Sequence, residues 1–194
     1  MIGVLTGFAP VPALAAAGVP CTGDVLQGPI MVSTDPHFTD GNVTGPQSNF
    51  TIGHFRFIAN AAFGADYSIF TMSAKINGNA DALINPKISY SRYPTTTSSA
   101  WIGAEGYGYE NADGSWTAED LRIDLKRCQM VDVWVTADVA PTGWNGVAAG
   151  DTVQVELISD ADHPFGSFVR SSTDRLDESD VQFDVLGPTF TIGE

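Results

Sequence analysis

Between Val131 and Val139 the chain keeps a strict two-residue rhythm. Val131, Val133, Val135, Ala137 and Val139 fall on one side, and Asp132, Trp134, Thr136 and Asp138 on the other. The rhythm breaks at Pro141-Thr142-Gly143 and resumes with Val153, Val155 and Leu157 set against Thr152, Gln154 and Glu156. A helix repeats every 3.6 residues and cannot hold such a pattern, so both runs are read as half-buried strands. Pro141, Gly143 and Asn145-Gly146 supply the turn chemistry between them.

The same reading extends along the chain. Ile-Met-Val after Pro29 is a short extended run, and TIGHFRFIA places Ile52, Phe55 and Phe57 at strand-like spacing around Gly53. DYSIFTMSAKI puts Phe70, Met72, Ala74 and Ile76 on one face and stops at the turn pair Asn77-Gly78. KISYSRY offers Ile88 and Tyr90 for burial; a Thr/Ser run over 95–99 then separates it from WIGAEGYGY, whose alternating glycines and aromatics predict an edge or bulged strand. After the turn Asn111-Ala112-Asp113-Gly114, LRIDL turns Leu121, Ile123 and Leu125 inward, while the tail repeats the device with Val181, Phe183 and Val185 before closing on TFTI. No segment carries a convincing amphipathic helix. Many short strands joined by polar turns predict an all-β fold, a single antiparallel β-sandwich of Ig-like or jelly-roll type over 21–194.

The run VDVWVTADVAPTGWNGVAAGDTVQVELI, with a terminal strand near GPTFTI, resembles the C-terminal strands of Ig-like β-sandwich modules in surface and filament proteins of bacteria and archaea. The likeness covers roughly the last third, from Asp132 onward. It implies a secreted, non-catalytic β-domain and carries no catalytic residues with it. Unlike a module of a long repetitive protein, this chain stands nearly alone, which fits a pilin-like subunit that assembles by itself.

Composition narrows the partners. Against 9 basic residues stand 23 acidic ones, a formal net charge of -14 over 194 residues, and such a surface repels phosphate backbones and anionic leaflets. Nucleic acid is not expected as a partner. The opening MIGVLTGFAPVPALAAAG joins a short apolar run to the small-x-small pattern Ala13-Leu14-Ala15, as at the end of a secretion signal, without the usual leading positive charge. Pro10 and Pro12 break it as a membrane-spanning helix, so an integral membrane protein is not expected. Residues 1–20 are therefore read as a signal-peptide remnant or as an extended apolar assembly arm bearing Val4, Leu5, Phe8, Val11 and Leu14.

Cys21 and Cys128 form an even pair that, in a secreted chain, predicts one disulfide worth about 3–5 kcal/mol. Two reduced buried thiols are the alternative. Asn42-Val43-Thr44 and Asn49-Phe50-Thr51 match the N-glycosylation pattern, with Asn42 and Asn49 as acceptors.

Candidate chemistry is sparse. His37, His54 and His163 are scattered, and His54 is expected as a solvated histidine on the polar face of a strand. There is no G-x-S-x-G, no HExxH and no phosphate-cradling glycine loop, so an enzyme is not expected. Asp160, Asp162, Asp174 and Asp177 crowd hard oxygen donors into loops, which makes calcium the one candidate cofactor; none is required. Trp101, Tyr107, Tyr109, Trp116 and Trp144 offer flat rings for stacking on a glycan or a surface protein, whereas Trp134 is expected to be covered by the other sheet, a loop or a neighbouring subunit.

Two functions follow in order. The first is a secreted structural subunit of an extracellular filament, a pilus-like or matrix homopolymer in which the N-terminal arm acts as a donor strand to the next subunit. The second is a cell-surface adhesin or carbohydrate-binding β-sandwich module.

Overall fold

The computed structural model describes residues 29–60, 66–92, 96–101, 108–110, 114–126, 130–159, 166–169, 175–176 and 183–194. The N-terminal arm, Cys21, Cys128, Tyr107 and the four candidate calcium ligands lie outside them, as do the side chains of Trp101 and Tyr109.

The described chain is all-β, with two short 3-10 turns and no α-helix among the described residues. The first sheet contains β1 (Ile30–Thr34), β3 (Gln47–Ala59), β5 (Leu83–Arg92), β6 (Thr96–Trp101) and β10 (Met130–Val139), in the order β1-β3-β10-β5-β6. The second runs β13 (Arg175–Leu176), β12 (Gly166–Val169), β4 (Tyr67–Gly78), β11 (Thr152–Ser159), β14 (Phe183–Gly193) and β2 (Gly41–Thr44). Three short strands attach to it: β8 (Trp116–Ala118) and β9 (Ile123–Leu125) pair with β4, and β7 (Gly108–Glu110) pairs with β8.

Alternation fixes which side of each strand is dry. Val131, Val133, Val135, Ala137 and Val139 are all buried, as are Val153, Val155 and Leu157, while the intervening residues are not. Leu121, Ile123 and Leu125 point inward as the pattern predicts. Side chains of both sheets, among them Phe55, Phe57 and Ile88 from the first and Ile69, Met72 and Ile192 from the second, join one core cluster. Each large side chain so buried contributes about 1.5–3 kcal/mol.

Three expectations are corrected. Phe70 does not share the dry face of β4: Tyr67, Ile69, Met72 and Ala74 are buried and Phe70 only half so. The pairing of β4 with β12 slips between Gly166 and Ser167, and such a slip exchanges the faces on either side of it. The Thr/Ser run is no separator, since Thr96–Trp101 pairs with β5 from Arg92↔Thr96 to Lys87↔Trp101; threonine's branched Cβ suits a pleated surface. The sheets are not wholly antiparallel, because β14 and β2 run parallel, Phe190 opposite Gly41. Trp134 is half-buried and stacks on its cross-strand neighbour His54.

One glycine in β3 has a steric reason. At Gly53 a Cβ would lie 2.6 Å from the Phe55 ring, which occupies that space, and the register slip beside it lets Ile52 and Phe55 both turn inward.

Candidate functional site

Two places bring polar and aromatic groups together. The first is on the outer face of the first sheet. Across β3 and β10, Arg56 stands opposite Asp132 and His54 opposite Trp134, so all four side chains leave the same face. Just past β1, the Asp35 amide donates to the His54 carbonyl at 2.9 Å and brings the Asp35 carboxylate alongside.

There His54 Nδ1 lies 2.9 Å from Asp35 Oδ2 and Nε2 lies 3.0 Å from Asp132 Oδ1. Arg56 spans the same two carboxylates, Nη2 at 3.1 Å from Asp35 Oδ1 and Nε at 3.4 Å from Asp132 Oδ1. Arg56 and the His54 ring thus alternate with two carboxylates on this face.

Trp134 stacks on the imidazole at 5.2 Å between centroids and 22° between planes, and Phe38 meets it edge-on at 6.1 Å. Burial opposes ionisation of Asp35. The His37 amide, which donates to Oδ1 at 3.0 Å, and the charges of Arg56, His54 and His37 outweigh it and hold the carboxyl below its ordinary 3.8. His54 is therefore not the solvated histidine expected from its polar-face position. Its side chain is 15% exposed, with both nitrogens engaged. No group of three His, Cys, Asp or Glu side chains among the described residues is arranged to hold a metal.

The second place is a cavity of about 490 Å³ at one end of the two sheets. Trp116 and Trp144 both line it, together with Asp81, Asn145, Ile84 and Pro86. Its volume falls in the range of small-molecule sites. Each wall has a local cause. In β5 the register with β10 slips between Ile84 and Lys87, where Asn85 takes φ 52° ahead of Pro86; a proline is tolerated in a sheet at such a bulge.

Trp144 rides on the 3-10 turn Trp144–Gly146, flanked by Gly143 at φ 87° and continued by Asn145 at φ 44° and Gly146 at φ 88°. That is the left-handed backbone Asn and Gly adopt most readily. Buried Val147 closes the turn by donating to the Trp144 carbonyl at 2.8 Å. Opposite it, Asn79 caps the turn Ala80–Ala82 by accepting from the Asp81 amide at 3.1 Å.

Asp151 ties the two turns together. Its Oδ2 accepts from Asn79 Nδ2 at 2.7 Å and from the Ala148 amide at 2.8 Å, the Ala148 bond doing most to hold its carboxyl below the usual range. Trp144 is 52% exposed on this braced platform, whereas Trp116 is half-buried against the core.

Sequence reading named Trp116 and Trp144 separately, and the structure places them around one cavity. Asn42 is exposed on β2 with Thr44 beside it on the same face, and buried Val43 between them points the other way. Asn49 is exposed at φ 53°, its amide donating to Asp138 at 2.8 Å and its side-chain oxygen accepting from Lys87. Among the described residues no helix is long and apolar enough to cross a membrane.

No family model matches the chain, and no curated protein matches it. Among solved structures it is similar to a family 123 glycoside hydrolase from Clostridium perfringens, studied for glycolipid glycan hydrolysis: 8% identity, TM-score 0.40, 84% of this chain and 27% of that one. The chain thus spans just over a quarter of the hydrolase. It is also similar to AvmM, which catalyses macrocyclization in alchivemycin A biosynthesis, at 10% identity and TM-score 0.39 over 86% of this chain and 90% of that one. At these scores neither likeness carries an argument about fold type or activity.

Proposed function

We propose that this protein is a non-catalytic cell-surface β-sandwich module that binds carbohydrate in the cavity between Trp116 and Trp144. One observation carries the reading: two indoles that lie 28 positions apart in sequence line the same cavity, with Asp81 and Asn145 beside them. Sugar rings present C–H faces that pack on indoles and hydroxyls that bond to carboxylates and amides, so a mixed lining suits them. The bracing of both turns by Asp151 supports it further, because a preorganised platform loses less entropy on binding. A glycan array followed by calorimetry on Trp144→Ala tests the reading. Binding that disappears in the variant supports it, and binding unaffected by the substitution overturns it.

The filament subunit stands second. What favours it on the described part is that β1, the strand that residues 1–28 lead into, stands at the end of the first sheet's order, where an arm would be delivered next to a sheet edge. In that reading the exported protein polymerises by donating its arm. Deleting residues 1–20 and finding fibres unchanged by electron microscopy would exclude the arm as connector.

A further inference from the structure

We infer that the sugar this cavity takes carries a free amine, as in a glucosamine unit, in preference to a neutral or acidic one; the inference rests on the carbohydrate reading above. Asp81 is the one charged residue among the described lining residues, and none of them is basic. It is exposed, and among the described residues it forms no ion pair. Only its backbone amide is used by the turn, in the Asn79 cap.

A carboxylate without a countercharge beside two indoles is what an ammonium group requires. The ring faces attract the cation through their quadrupoles, tryptophan most strongly, and the carboxylate supplies a charge-assisted hydrogen bond. The excess of 23 acidic over 9 basic residues adds a long-range field that draws cations in and turns sulfated or uronic glycans away. A neutral sugar would gain the stacking and Asn145 but neither electrostatic contribution. The cavity is of a size for one or two sugar rings, so a disaccharide is the fitting probe.

The test titrates three disaccharides into the full chain by calorimetry in a mildly acidic buffer: the β-1,4 dimers of glucosamine, of N-acetylglucosamine and of glucose. The glucosamine dimer is expected to bind about tenfold more tightly than either other, an advantage that shrinks at about 0.5 M salt. Asp81→Asn should remove most of the amine's advantage, leaving only what the indole faces and the acidic surface supply, and Trp144→Ala should abolish binding of the amine, which separates the cavity from general attraction to an acidic surface. Equal affinities in the wild-type protein would overturn the amine preference and leave the carbohydrate reading standing. Binding of the amine undiminished in Trp144→Ala would place it elsewhere and overturn the inference. Failure of all three sugars, with a blank glycan array, would remove the underlying reading as well.

Discussion

The outer face of the first sheet and the cavity at the sheets' end draw on the same kinds of residue: a tryptophan pointing away from the core, acidic groups and a polar partner. On the sheet face, His54, Arg56, Asp35 and Asp132 bond to one another and Trp134 stacks on His54. At the cavity, Asp81 and Trp144 sit on turns braced by Asn79 and Asp151, and both are exposed where they line it. Groups that satisfy one another stabilise the fold, whereas groups positioned by others and left open are available to a ligand. The two regions should accordingly respond to mutation in opposite ways.

The largest effect is expected at Asp35. Its carboxylate is buried and bonds to both His54 and Arg56, so Asp35→Ala leaves the partly buried Arg56 guanidinium and the His54 Nδ1 short of a partner. Breaking a fully buried pair costs about 3–5 kcal/mol, and the partial exposure of Arg56 lowers this to about 2–3 kcal/mol. Chemical denaturation would read it as a reduced midpoint with the slope unchanged. Sugar binding by the folded variant should not move, and if it does, the two regions are not separate.

Trp144→Ala inverts that result. At 52% exposure the ring adds little to the core, so stability should stay within about 0.5 kcal/mol while affinity for the sugar falls at least about tenfold, or 1.4 kcal/mol. A large loss of stability would mean that Trp144 is a core residue and the cavity an accident of packing.

How much of this was legible beforehand differs between the regions for a physical reason. The strands β3, β10 and β11 and their dry faces could be read because alternation is local, and a face follows from counting by two. The sheet-face cluster could not, since His54 and Asp132 are 78 residues apart and only the register of β3 against β10 makes them neighbours. Viewed locally, His54 is one polar residue between Gly53 and the inward-facing Phe55, which is why it reads as solvated. Phe70 was placed on the wrong face because a register slip in the middle of a long strand leaves no mark in composition. The cavity was half legible. Trp144 beside Gly143 and Asn145-Gly146 announces an exposed turn, but the bulge at Asn85-Pro86 falls ahead of the run KISYSRY that alternation picks out, and that both walls meet Trp116 depends on how the two sheets are stacked.

Acid should sharpen the contrast. Asp35's carboxyl is held below its ordinary 3.8 in the folded chain, so in the unfolded chain it binds a proton at higher pH than in the folded one. The stability it contributes is fully present above the unfolded pKa of about 3.9 and is lost as pH falls through the lower folded value. Many carboxylates titrate in that window, so the informative quantity is a difference. Below about pH 4 the wild-type protein should lose more stability than Asp35→Asn, and the gap between them should close. Parallel curves would show that Asp35 gains nothing from the cluster.

The smallest effect concerns the outer half of the same cluster. Asp132 and Arg56 are 29% and 26% exposed, and their 3.4 Å contact is long for a charge-assisted hydrogen bond. Solvent screens such a pair, so a double-mutant cycle with Arg56→Ala and Asp132→Ala should give a coupling of only about 0.5–1 kcal/mol. The cycle pairing Arg56→Ala with Asp35→Ala should give more, because Asp35 is only 9% exposed and the dielectric around it is lower. If the two couplings come out equal, burial is not what separates the inner carboxylate from the outer one. The four groups would then act as a single surface network, and the large loss expected for Asp35→Ala would have to come from the hydrogen bond that the His37 amide donates to its Oδ1 instead.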